Sequence, residues 1–149
     1  MAGHISISVD APFAVLVDQG SLRLLAGRVL ESEGAAESEL DIVVTDDGRV
    51  RELNRAYAGE DKATDVLSFS LREGEEFVSP DGVDRLGEVI ISYPTAERQA
   101  EEAGHPVEDE VAHLLVHGIL HLLGYDHVEP DDEREMRARE EALLGAHPH

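Results

Sequence analysis

"HGILHLLGYDH", residues 117–127, sets three histidines and two glycines into an otherwise apolar run. The run continues a helix expected from about Val107 to Leu123. Along it Val111, Leu114, Leu115, Val116, Ile119, Leu120, Leu122 and Leu123 leave little polar surface. A helix that is apolar on most sides is covered by neighbours, which places this one at the centre of the fold. Its acidic opening, Glu108, Asp109 and Glu110, suits the positive end of the helix dipole.

His113, His117 and His121 are four residues apart, so they fall along one stripe, each about 6 Å above the last. A single histidine in such a place is ordinarily a core residue satisfied by one hydrogen bond. Two at this spacing can both turn a ring nitrogen toward one ion. Gly124 follows where a left-handed residue would stop the helix and turn the chain, and Tyr125 and Asp126 then bring His127 back toward the stripe. The result is His-x3-His-x2-Gly-x2-His. Its spacing matches the metzincin zinc pattern, in which a glutamate follows the first histidine and a glycine turn delivers the third ligand. Three neutral imidazoles, His117, His121 and His127, leave a fourth tetrahedral position for water, as catalytic rather than structural zinc sites do. His113, Asp126 and Glu88 are candidates to orient a ligand ring or to be satisfied buried polar groups. Gly118 stands where the peptidase glutamate would be, so the usual zincin route to peptide hydrolysis lacks its general base. Zinc can still lower the pKa of bound water to about 7, which leaves a nucleophile available.

Outward from this helix the pattern is of strands first and helices later. Strands are expected at His4–Val9, 38–45, 64–71 and 86–93. Helices are expected at 18–33, 46–59, from Pro94 to Gly104, and from about Asp131 to Leu144. Residues 72–85 read as a loop with a turn at Pro80-Asp81-Gly82. No repeat or long linker divides the 149 residues, a length that suits one domain. The expectation is a single α+β domain over 1–149, a mixed sheet of about four strands packed with helices around the histidine-bearing one, zincin-like in arrangement.

Composition narrows the chemistry. There is no cysteine, which removes disulfides, thiolate metal sites and thiol nucleophiles and leaves His, Asp and Glu as ligands. No cationic start followed by an apolar stretch opens the chain, and no apolar run approaches the roughly 18 residues of a membrane span. A soluble cytoplasmic protein without membrane partners is expected. The formal charge is −21, with only 12 Lys and Arg. Nucleic-acid binders neutralise phosphates with such residues, so any RNA contact here must be local. Residues 49–62 supply Arg49, Arg51, Arg55 and Lys62 together; taken alone, the arginines also read as solvated helix residues. Thr64 and Asp65 read as a structural turn.

Four blocks in order carry a wider likeness: "LNRAYAGEDKATDVLSFS" (53–70), "LGEVIIS" (86–92), "QAEEAGHPVEDEVAHLLVHGILHLLGYDH" (99–127), and within the last the metal motif itself. They resemble the YbeY family, bacterial rRNA maturation factors described as metal-dependent endoribonucleases. The resemblance implies one zinc ion held by His117, His121 and His127. It implies cleavage of single-stranded rRNA at the 3′ end of the small-subunit RNA, a part in ribosome quality control, and links to the small ribosomal subunit and an Era-type GTPase. One departure stands out: the family commonly carries arginine just before the glycine of the second block, where this chain has Ala58. The competing expectation is a non-catalytic, zinc-containing ribosome assembly factor that binds RNA or protein.

Overall fold

The computed structural model describes residues 5–58, 65–70, 85–123 and 130–144. In chain order the elements are β1 (Ile5–Val9), α1 (Gln19–Ser32), β2 (Glu39–Thr45), α2 (Asp47–Ala58), β3 (Val66–Ser70), β4 (Arg85–Ser92), α3 (Tyr93–Ala103), α4 (Val107–Leu122) and α5 (Pro130–Leu144). A 3₁₀ turn at Ala11–Phe13 follows β1. The four strands form one mixed sheet in the order β1-β2-β4-β3. β1 and β4 run parallel to β2, whereas β3 is antiparallel to β4. The expected α+β class and four-strand mixed sheet are therefore observed, with boundaries displaced by a residue or two. Residues 72–84 of the expected loop, with its turn, lie outside the described residues, as does the turn at Gly124, whereas Arg85, expected in the loop, opens β4.

Local chemistry explains the boundaries. Asp18 caps α1, accepting from the backbone N–H of Ser21 at 3.1 Å. Ser92 caps α3 and Pro94 sits in its first turn, where a missing N–H costs nothing. Gly104 ends that helix at φ 76°, the left-handed conformation glycine adopts without strain. In β4 the register against β2 slips, so that Glu39 faces Arg85 and Leu40 faces Gly87. Gly87 absorbs this bulge at φ 151°; a Cβ there would stand 2.3 Å from the carbonyl oxygen of Phe69.

The main core lies between α1, α4 and one face of the sheet. Val89 and Ile91 of β4 join Leu115, Val116, Ile119 and Leu120 of α4 in this cluster, all essentially inaccessible to solvent. Ile90, between them, is buried outside it, on the face that strand alternation assigns to α2 with its buried Val50. α5 closes the cluster from outside, with Leu143 buried. Arg139 of α5 donates to Ser32 at 3.0 Å and pairs with Glu33, both at the end of α1.

Gly118 is where α4 touches the sheet. A Cβ at this position would lie 2.7 Å from Val89 Cγ1, 3.2 Å from Ser68 Oγ and 3.3 Å from Val66 Cγ2. The Ser68 hydroxyl donates to the Gly118 carbonyl at 3.0 Å, fixing the helix against β3. Valine has a stiff χ1, so the strand cannot yield cheaply. Alanine is intrinsically the better helix former by about 1 kcal/mol, but overpacking costs about 1–3 kcal/mol. Gly118→Ala should therefore lose up to about 2 kcal/mol in urea denaturation; a variant more stable than the parent would disprove the close approach.

Asp47 ties α2 to the β4–α3 junction. Its carboxylate accepts from the Ser92 hydroxyl, from Thr95 Oγ1 at 2.6 Å and from Arg98 at 3.1 Å. Partial burial disfavours its charge, yet the hydrogen bonds from Ser92, Thr95 and Arg98 outweigh this and hold its pKa below the ordinary carboxylate value. A lowered folded-state pKa gives stability that is complete above the unfolded-state pKa and lost as pH falls through the folded one. Asp47→Asn should be less stable than the parent by about 1–2 kcal/mol at neutral pH. That gap should hold down to about pH 4 and shrink below it, when Asp47 of the parent takes up its proton. Urea denaturation across pH 3–7 checks both points.

Candidate functional site

α4 presents His113 and His117 to a cleft of about 460 Å³ whose other walls are α3, α5 and the start of β3. The two rings meet edge to face with centroids 6.4 Å apart, one helical turn from each other. Between α4 and α5 stands Glu140. Its Oε2 lies 2.8 Å from His117 Nδ1 and 3.6 Å from His113 Nε2. Glu140 is the most enclosed of the three, its side chain 12% exposed against 33% and 34% for the histidines.

Burial is the largest influence on the Glu140 carboxyl and opposes its charge, but the close approach of His113, the hydrogen bond from His117 and the attraction of both rings prevail, lowering its pKa to about 2. The complementary effect appears at His113. The close approach of the Glu140 carboxylate, 3.6 Å from its Nε2, is the main cause of a raised pKa, burial works against it, and the charges of Glu110 and Asp65 add to it. An ionised carboxylate only accepts hydrogen bonds, so the 2.8 Å contact requires the proton on Nδ1 of His117. In the neutral ring Nε2 then carries the lone pair. This is the arrangement of a histidine prepared for metal ligation, with its second nitrogen anchored to a carboxylate.

His121, one turn further along α4, is exposed, and His127 and Asp126 lie outside the described residues. Among the described residues no group of three or more His, Asp or Glu side chains stands close enough together to hold a metal. The donors that are described nevertheless fit a metal: two imidazoles at i, i+4 on one helix, one with its tautomer set by Glu140. Glu88 is half-buried on β4, opposite Asp41 and Phe69, and is not among the side chains lining the cleft.

The lining holds residues that sequence reasoning left unassigned: Glu110, Gln99, Arg137, Glu140 and Glu141. Asp65 has a double part. Its Oδ1 accepts from the Val66 N–H at 2.8 Å, while its Oδ2 faces Gln99 Nε2 at 3.3 Å inside the cleft; Thr64, read with it as a turn, lies outside the described residues. Arg49, Arg51 and Arg55 are exposed on α2 and do not line the cleft, and Lys62 lies outside the described residues. Among the described lining residues the cation is Arg137, on α5.

A family model described as Endoribonuclease YbeY matches residues 15–147. The chain belongs to the YbeY family. It is 48% identical over 135 residues to an endoribonuclease YbeY of Desulforamulus reducens, covering 87% of this chain and 88% of that one. It is 44% identical over 145 residues to an endoribonuclease YbeY of Roseiflexus castenholzii, covering 95% and 91%. The solution structure of TM1509 from Thermotoga maritima superposes with a TM-score of 0.65 at 26% identity, covering 94% of this chain and 86% of that one. Ala58 is the last residue of α2.

The Glu140 contact is open to direct observation. In metal-free protein the neutral ring of His117 should hold its proton on Nδ1. Its two ring ¹⁵N shifts should report this tautomer, and Glu140→Ala should return the ring to the Nε2–H form that dominates in free histidine. An unchanged tautomer in that variant would show that Glu140 does not set it.

Proposed function

We propose that the protein is a zinc-dependent, single-strand-specific endoribonuclease that acts in rRNA processing, maturing the 3′ end of the small-subunit RNA and serving ribosome quality control in the cytoplasm. Family membership supports the activity, and one observation of the chain itself supports it most: the carboxylate of Glu140 holding His117 with Nε2 as its lone-pair nitrogen. His117 and His121 of α4, with His127, are the proposed zinc ligands. When bound, the ion supplies Lewis-acid polarisation of a phosphodiester oxygen and of water.

The chain's own residues divide the remaining work. Glu140 orients His117 and keeps its proton on the side away from the ligand position. Gly118 puts no carboxylate beside the first histidine, and the contacts with Val89 and Ser68 leave no room for one. A peptidase glutamate therefore cannot be accommodated at this position without lifting α4 from the sheet. Arg137, at the cleft wall, is placed to meet a phosphate with its planar fork of donors. Arg49, Arg51, Arg55 and Lys62 are proposed as a second, more distant set of phosphate contacts. No helix among the described residues is long and apolar enough to cross a membrane. The partners proposed are single-stranded rRNA, the small ribosomal subunit and an Era-type GTPase.

A second reading has its own observation. Four carboxylates, Asp65, Glu110, Glu140 and Glu141, line the cleft against one arginine, and Ala58 replaces the family's arginine. That balance favours a non-catalytic assembly factor whose ion is structural. The deciding experiment is cleavage of a defined single-stranded RNA by zinc-loaded protein, beside a His121→Ala variant shown to fold. Parent cleavage that is lost in the variant supports the enzyme; an inactive, zinc-loaded parent supports the assembly factor. Glu140→Ala should weaken zinc binding about 10–100-fold in chelator competition. Arg137→Ala should leave zinc content unchanged, raise KM for RNA, and reduce the salt slope of binding by roughly 0.7 to 0.9.

A further inference from the structure

Among the described residues, three large hydrophobic side chains are exposed: Val15 at 91%, Leu16 at 53% and Leu24 at 72%. Val15 and Leu16 follow the 3₁₀ turn, and Leu24 lies in the first half of α1. Exposed apolar residues scattered singly need no explanation, but one that lines an apolar concavity does, and Leu16 is such a residue. Here a groove of about 310 Å³ runs between this segment and the first turns of α4. Leu16, Val17 and Leu25 line one side and Val107 and Val111 the other, with the buried ring of Tyr93 in its lining. Phe13 stacks on that ring at 5.1 Å, which fixes the groove beneath the 3₁₀ turn.

The rim is negative. Asp18 and Glu108 both border the groove. Asp18 is held in its ionised form by the backbone and hydroxyl of Ser21, and the charges of Glu97 and Glu108 both reach the Tyr93 phenol. An apolar trough with carboxylates at its edges, on a chain of charge −21, repels RNA and anionic lipid. It also repels a second copy of itself, since docking would join two chains of that charge.

We propose that this groove docks an amphipathic helical segment of a partner protein, with apolar residues at i, i+3, i+4 and i+7 entering between α1 and α4 and lysine or arginine on either side meeting Asp18 and Glu108. The groove uses Val107, Glu108, Val111 and Ala112 of α4, whereas the histidine cleft uses Glu110, His113, Leu114 and His117. A partner seated here therefore leaves the cleft open, and the two sites act on different flanks of one helix.

The test uses full-length, zinc-loaded protein and three synthetic helices: leucine at those spacings with lysine elsewhere, the same with lysine replaced by glutamate, and the same with leucine replaced by serine. Fluorescence anisotropy should show binding of the leucine–lysine helix alone. Leu16→Asp, at an exposed lining position that leaves the core intact, should weaken it by about tenfold, a loss of some 1.4 kcal/mol, whereas Leu24→Asp, outside the lining, should leave it unchanged. Zinc content and any RNA cleavage should be unchanged in both variants, so this result stands or falls separately from the nuclease reading. Equal binding of the serine–lysine helix would reduce the effect to bulk charge and overturn the proposal. So would a parent that binds none of the three, or one whose binding ignores Leu16→Asp. A parent dimer dissolved by Leu16→Asp would assign the groove to a second copy instead, and binding of neutral phosphatidylcholine vesicles abolished by the same substitution would assign it to a lipid surface.

Discussion

The rest of the structure depends on how closely α4 lies on the sheet. At Gly118 the helix backbone sits so near β3 and β4 that a methyl group would overlap Val89. This contact seats the apolar helix against Val89 and Ile91 and lets the Ser68 hydroxyl reach a helix carbonyl. It also sets the direction of the residue before it. With Gly118 turned to the strands, His117 is turned roughly a quarter of a helical turn away, toward α5 and the cleft. The packing that stabilises the core and the orientation that serves the site are one constraint, and glycine meets it without displacing Val89.

Electrostatics then selects which polar groups can occupy the space this creates. In so acidic a chain, one more half-buried carboxylate would ordinarily be forced neutral by desolvation and by its neighbours. Glu140 escapes because two imidazoles face it from α4 and hold it ionised. The dependence is mutual, since the ionised carboxylate determines which nitrogen of His117 carries the proton. Delivery of Glu140 to this point rests on ordinary packing: Leu143 buried in the core and Arg139 joined to Ser32 and Glu33. A loop carrying the same carboxylate would hold it less firmly than a helix fastened on both sides of the residue.

Much of this was legible in the sequence, and the limits have physical reasons. Helix and strand periodicities placed every element within a few residues, because hydrophobic spacing is a local property. Pro94 and Gly104 marked the ends of a helix through backbone chemistry that also acts locally. His117 and His121 stood out because imidazoles are rare in an apolar helix. Glu140 did not, because α5 reads "PDDEREMRAREEALL" and offers several carboxylates of equal standing. Only the tertiary contact with α4 distinguishes it. Arg137 was hidden for the same reason, and attention went instead to the denser run of cations on α2, which the fold places outside the cleft lining. Gly118 was legible as a missing glutamate, but its cause lies in Val66, Ser68 and Val89, some fifty and thirty residues earlier in the chain.

The two concavities follow from the same helix being nearly apolar throughout. A conventional amphipathic helix has one buried stripe and a solvated face, and so can border only one kind of site. α4 is wrapped by α1, α3, α5 and the sheet, so each gap between neighbours becomes a groove with its own chemistry. Where α5 approaches, the gap exposes histidines and gathers carboxylates. Where α1 approaches, the gap is lined by the half-buried Val107 and the buried Val111, with the exposed Leu16 at its edge. The polar gap can bind an ion and the anion it activates, while the apolar gap can gain free energy only by losing water to another apolar surface. Because α4 is rigidly seated at Gly118, neither site needs to deform for the other to be filled.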